Sequence, residues 1–110
     1  MANALCHFND IPEGESKGFT ADGVPLFAVK KDAELYIYKN ECPHLGVTLE
    51  WKEDRFLDLD GELIECAMHG ALFNITDGQC IAGPCQGDSL RALPWKMDDG
   101  YIYLLAMGEN

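Results

Sequence analysis

At 110 residues the chain has room for one domain with its own core, and 47% hydrophobic with 25% charged residues excludes a disordered or fibrous protein. A net charge of -11 excludes nucleic acid phosphates and anionic lipid as partners and favours a protein that presents a basic patch. Neither a basic leader nor an apolar run long enough to cross a membrane occurs, so no membrane association is expected and the expected location is the cytoplasm.

In chain order, the runs ALCHF, KGFT, PLFAVK, ELYIYK, ELIEC, ALFNI, RALPW and YIYLL have strand character, being rich in Tyr, Phe, Ile and Val and separated by turn residues. ELYIYK alternates as a half-buried strand does, and YIYLL offers a last strand that could close the sheet. Asp-Gly occurs at Asp22, Asp60, Asp77 and Asp99, and at least three of these dipeptides stand between apolar runs, where hairpin turns belong. Helical periodicity is hard to find. The expectation is an all-β antiparallel meander, a sandwich or barrel, forming one domain over residues 1–110.

The segment from about residue 40 to 87 differs, because Cys, His, Pro and Gly interrupt its strands. It reads as a site built from loops on a β scaffold. Within it, LEWKEDRFLDLDGELIE is an acidic stretch, read first as a solvated excursion and second as a docking surface for a basic partner.

The cysteines are Cys6, Cys42, Cys66, Cys80 and Cys85, an odd number that suits metal binding or packing better than a disulfide frame. Cys42 and His44 lie in CPHLG; after 21 intervening residues, Cys66 and His69 lie in CAMHG. Thiolate and imidazole together suit borderline and soft transition metals, and a mononuclear Cys2His2 zinc site is one chemical possibility. Structural zinc knuckles, however, usually pair like with like, whereas each motif here supplies one ligand of each kind.

CPHLG and CAMHGALFNITDG resemble the two cluster-binding loops of Rieske [2Fe-2S] proteins, in which two histidines replace two cysteines on one iron. LDGELIEC before the second loop and Gly83-Pro84 after it fit the same resemblance. It implies a Rieske-type β fold with a cluster-binding subdomain, one [2Fe-2S] cluster, thiolate ligands Cys42 and Cys66, and imidazole ligands His44 and His69. It further implies that Gly46 and Gly70 let the backbone turn around the cluster, and that Pro84 fixes a third loop. His7 and Cys6 are read as structural, Cys80 and Cys85 as packing residues, and Trp51 and Trp95 as core or rim.

High-potential members of the family carry a further cysteine in each ligand loop, linked as a disulfide, and a serine and a tyrosine after the second loop. Val47 and Met68 stand at the former positions here, and Ala71 and Phe73 at the latter. The resemblance is therefore to the low-potential, oxygenase-type ferredoxins. It implies a monomeric electron carrier, not an enzyme, that takes single electrons from a flavin-containing or other reductase to a terminal oxygenase or similar oxidoreductase. The alternatives are a Rieske small subunit of a nitrite-reductase-like complex and a zinc-bound interaction module. The gap between His44 and Cys66 is longer than is common in such carriers, with EWKEDRF as the extra material.

Overall fold

The strand content is set by hairpins, and β3 (Val24–Lys31) is the strand around which the others assemble. The computed structural model describes residues 4–21, 23–41, 56–58, 61–66, 71–83 and 87–105. Among them are nine strands, one short 3-10 turn and no α-helix. All strand pairs are antiparallel and form three sheets of three strands, in agreement with the all-β expectation.

The middle sheet is β2 (Ser16–Ala21), β3 and β4 (Glu34–Lys39), paired in that order. Strand β3 has no solvated face. Leu26 and Ala28 point into one hydrophobic core, Phe27 and Val29 into a second, and all four are fully buried. Strand β4 divides likewise, with Leu35 and Ile37 on one side and Tyr36 and Tyr38 on the other. Strand side chains alternate between faces, so this sheet is a central layer with a core on each side.

On one side lie β1 (Cys6–His7), β8 (Trp95–Asp98) and β9 (Tyr101–Leu104), with β9 between the other two. Pairing of Cys6 with Ile102 joins the two ends of the described chain. On the other side lie β5 (Leu63–Glu65), β6 (Leu72–Asn74) and β7 (Cys80–Ala82). A bridge between Tyr38 and Ala92 ties the middle sheet to the chain leading into β8.

Several turns fall where Asp-Gly places them. Asp98 pairs with Tyr101 across Asp99 and Gly100, at φ +55° and +83°, the paired positive values of a type I′ hairpin turn. The β3–β4 hairpin uses the same turn without glycine, with Asp32 at φ +54° and Ala33 at φ +64°. Left-handed backbone costs a non-glycine residue about 1–2 kcal/mol. Here the Glu13 carboxylate offsets that cost, accepting the N–H groups of Asp32 at 2.6 Å and Ala33 at 2.8 Å.

Two strand assignments need correction. RALPW is not a strand: Ala92 makes only an isolated bridge, and β8 begins at Trp95, because Pro94 has no N–H to donate to a ladder. Strand β7 has no counterpart in the sequence reading.

Candidate metal centre

Of the four expected ligands, Cys66 lies among the described residues; Cys42, His44 and His69 lie outside them, as do Gly46, Val47, Met68, Gly70, Pro84 and Cys85. Cys66 follows directly on β5 and is fully buried beside Ile64, Ala71 and Phe73. Its N–H donates to Ala71 O at 2.8 Å, joining the end of the β5 strand to the start of β6. Strand pairing continues outward from that closure, with Glu65 opposite Leu72 and Ile64 opposite Phe73. Cys66 thus stands at the end of β5, where the β5–β6 pairing closes.

The third loop starts from β7, whose register against β6 skips one residue: Leu72 pairs with Ala82, and Phe73 with Cys80. Ile81 is the extra residue of this β-bulge and is 41% exposed, although its neighbours Cys80 and Phe73 are buried. A bulge commonly re-aims a side chain in this way. Gly83 follows at φ +102°, and a Cβ built there would stand 2.7 Å from Ala71 Cα. Only glycine allows this approach, which locks the beginning of the third loop against the closing residue of the second.

The strand that leads to Cys66 is also held from its other side. Leu57 bridges Ile64, Glu65 N–H donates to Phe56 O at 2.9 Å, and Asp58 N–H donates to Leu63 O at 2.9 Å. Phe56 is fully buried and stacks on Phe27 at 4.4 Å, with the ring planes 7° apart. The end of the acidic stretch is therefore anchored in the core rather than solvated throughout. Sequence reasoning treated Asp58 as one charge among many; the signal that could have found it was Asp ahead of Asp-Gly, a common turn-closing pattern.

The other singled-out residues have structural surroundings. His7 accepts the Asn9 N–H on Nδ1 at 3.0 Å, and its own N–H donates to Asp10 Oδ2 at 2.9 Å. It belongs to the β1–β9–β8 sheet. Cys6 is half-buried, and burial pushes its thiol up to about 11, which keeps it protonated and inert. Cys80 is buried in the same core as Cys66, and its Sγ lies 3.2 Å from Ala82 O. Tyr38 donates its hydroxyl to Ile75 O at 2.6 Å, and burial with the nearby Asp77 charge pushes its pKa up to about 12.

The donor set suits an iron–sulfur cluster. A fully buried thiol directly after β5 fits the inner side of such a group, and imidazole as a ligand type suits its outer side. Ala71 and Phe73 offer no hydroxyl beside Cys66. Among the described residues, no helix is long and apolar enough to cross a membrane.

Comparison with known proteins points the same way. The model of the Rieske [2Fe-2S] domain matches residues 1–94. A ferredoxin component of naphthalene 1,2-dioxygenase/salicylate 5-hydroxylase systems from Ralstonia sp. is 28% identical over 102 residues, covering 93% of this chain and 91% of that protein. The solved ferredoxin of Sphingomonas yanoikuyae B1 superposes with a TM-score of 0.74 at 28% identity, over 94% of this chain and 97% of that one. A chain in the complex of reduced oxygenase and oxidized ferredoxin of carbazole 1,9a-dioxygenase gives a TM-score of 0.74 at 25% identity, over 93% and 90%.

Proposed function

Because this chain belongs to the Rieske [2Fe-2S] family, we propose that it is the ferredoxin of a dioxygenase or similar oxygenase system, a carrier rather than an enzyme. It takes single electrons from a reductase and delivers them to a terminal oxygenase. The observation that carries this reading is the buried Cys66 at the end of β5, bonded to Ala71 through its backbone N–H, in a chain similar to ferredoxin components of dioxygenase systems.

In this reading Cys42 and Cys66 hold the inner iron, His44 and His69 hold the outer iron, and residues 1–110 act as one domain in the cytoplasm, as a monomer. The cluster supplies reversible one-electron chemistry. The protein keeps water from the sulfur side through Phe73, Ala71 and Ile64, and presents the imidazole side to partners. The net charge of -11 steers a basic partner into contact, so the transfer rate falls as salt rises.

Electron uptake adds negative charge, which hydrogen-bond donors near the sulfurs stabilise. With Ala71 and Phe73 in place of hydroxyl side chains and a net charge of -11, the reduced form receives little such help. The midpoint is expected in the lower part of the roughly -150 to +300 mV span of Rieske centres. Electron paramagnetic resonance of the reduced protein with a potentiometric titration tests both statements. A Rieske signal that survives His69→Cys or His44→Ala removes the ligand assignment, and a midpoint above about +100 mV, inside that same span, removes the low-potential one.

A further inference from the structure

We propose that Asp58, which belongs to no ligand loop, is a positioning residue that fixes the register of the strand delivering Cys66. This rests on the ligand reading above.

Four hydrogen bonds converge on Asp58. Its Oδ1 accepts the N–H of Glu62 at 3.0 Å and of Leu63 at 3.3 Å, its carbonyl accepts Gly61 N–H at 3.0 Å, and its own N–H donates to Leu63 O at 2.9 Å. These bonds close the turn of a small hairpin whose arms are residues 56–58 and β5. The first arm continues the chain that comes from the CPHLG motif; the second ends at Glu65, one residue before Cys66. Phe56 and Glu65 are joined across the open end. The length of the turn therefore decides how the chain leaving the first motif is aligned with the chain entering the second.

That alignment determines which way Cys66 faces. Ile64 and Cys66 are two residues apart on one strand face, and both are fully buried. A slip of one residue would exchange the faces, taking Cys66 out of the core along with Ile64. Phe56 holds the hairpin to the scaffold by stacking on Phe27, with its N–H donated to Ser16 Oγ at 3.3 Å, and Glu62 pairs with Lys31 at 3.1 Å. None of these three contacts counts residues in the turn. Among the described residues, the Asp58 carboxylate is the side chain that ties its start to its end. Water can replace it as acceptor for the exposed Glu62 N–H, so its loss relaxes the register more than it unfolds the chain.

The test uses the cluster-loaded full chain and three variants: Asp58→Ala, Asp58→Asn and Asp10→Ala. Asp10→Ala is the control, because Asp10 also accepts a backbone N–H, that of His7, but on the far sheet. Iron release to a colorimetric iron chelator and the electron paramagnetic resonance line shape are measured beside thermal unfolding. Asp58→Ala is expected to release iron about tenfold faster, the scale of losing a charged acceptor, and to broaden the signal. Asp58→Asn keeps an acceptor oxygen and is expected to restore both to within about twofold. Asp10→Ala is expected to lower the unfolding temperature with release and line shape unchanged.

Native release and line shape in Asp58→Ala overturn the proposal. So does damage in Asp58→Asn equal to that in Asp58→Ala, which would make charge the cause, or the same effect in Asp10→Ala, which would make it general instability. If Asp58→Ala does not accumulate, Asp58→Ser, whose shorter side chain reaches fewer of the turn N–H groups, is expected to release iron at an intermediate rate, and a native rate there overturns the proposal. Failure of the ligand reading is seen separately, as a Rieske signal persisting in the histidine variants with Asp58 intact.

Discussion

The middle sheet and the sheet that carries Cys66 solve the same folding problem by different means. Strands β2, β3 and β4 are 6, 8 and 6 residues long, with continuous ladders, and β3 and β4 bury side chains on both faces. Strands β5, β6 and β7 have 3 residues each, and local closures hold them: Cys66 N–H to Ala71 O, Gly78 N–H to Asn74 O, and the bonds around Asp58. A site built from loops requires the chain to leave its ladders early. What the ladders no longer supply is made up by the shared core and by side chains that count residues in turns.

If the division holds, damage to the middle sheet should lower stability and leave the cluster spectrum of the folded molecules alone. Phe27 is fully buried, stacked on Phe56 and 5.9 Å from the Tyr38 ring. Phe27→Ala is expected to cost about 3–5 kcal/mol, the range for truncating a core phenylalanine, read in chemical denaturation. An altered resonance line shape in the remaining folded protein would break the comparison, since Phe27 also supports Phe56.

Gly83→Ala asks the converse. The added methyl would stand 2.7 Å from Ala71 Cα, at a φ of +102° that alanine avoids, so the third loop must move away from the second. Overpacking of this kind typically costs about 1–3 kcal/mol. Its distinguishing sign is a shifted line shape and midpoint potential at a stability loss smaller than that of Phe27→Ala.

The same division explains what could be read from sequence. ELYIYK and PLFAVK announce the middle sheet by apolar content, and Asp99-Gly100 announces the β8–β9 turn, because each signal is local to the element. The β3–β4 turn was invisible, since Asp32 and Ala33 hold positive φ only with Glu13, 19 residues earlier, as acceptor. Strand β7 was missed because three residues between Gln79 and Gly83 carry too short a pattern, and its bulge hides the alternation. Cys42 with His44 and Cys66 with His69 were legible as candidate ligand pairs from the spacing inside each motif. The approach of Gly83 to Ala71 and the turn closed by Asp58 were not, because both are relations between segments.

Ile81 sharpens the comparison on the functional side, as the bulge exposes an apolar side chain next to the third loop without using it in the core. Ile81→Ser should leave unfolding within about 0.5 kcal/mol of the parent, as expected for a surface change. If partners dock over this edge, losing roughly half a buried isoleucine from the contact weakens the encounter by about 1 kcal/mol, or roughly fivefold in the second-order rate to an oxygenase. An unchanged rate would confine docking to the ligand loops themselves.

The smallest effect expected is also the most local, at the turn that needs Glu13. Hydrogen bonds from Ala33 and Asp32, in that order, lower the Glu13 pKa from its ordinary value, with help from Lys30 and Lys31. A carboxyl whose folded pKa lies below its unfolded value adds stability that is fully present above the unfolded value, about 4.3, and is lost as pH falls through the folded one. Amide resonances of Asp32 and Ala33 should therefore titrate together with a midpoint below that of an ordinary glutamate. Glu13→Gln should unfold at a lower temperature than the parent near neutrality, with the gap narrowing as pH drops through the acid range. A gap that stays constant would mean that the carboxylate does not hold the turn through its charge, and that the left-handed pair at Asp32 and Ala33 is kept by the β3–β4 ladder alone.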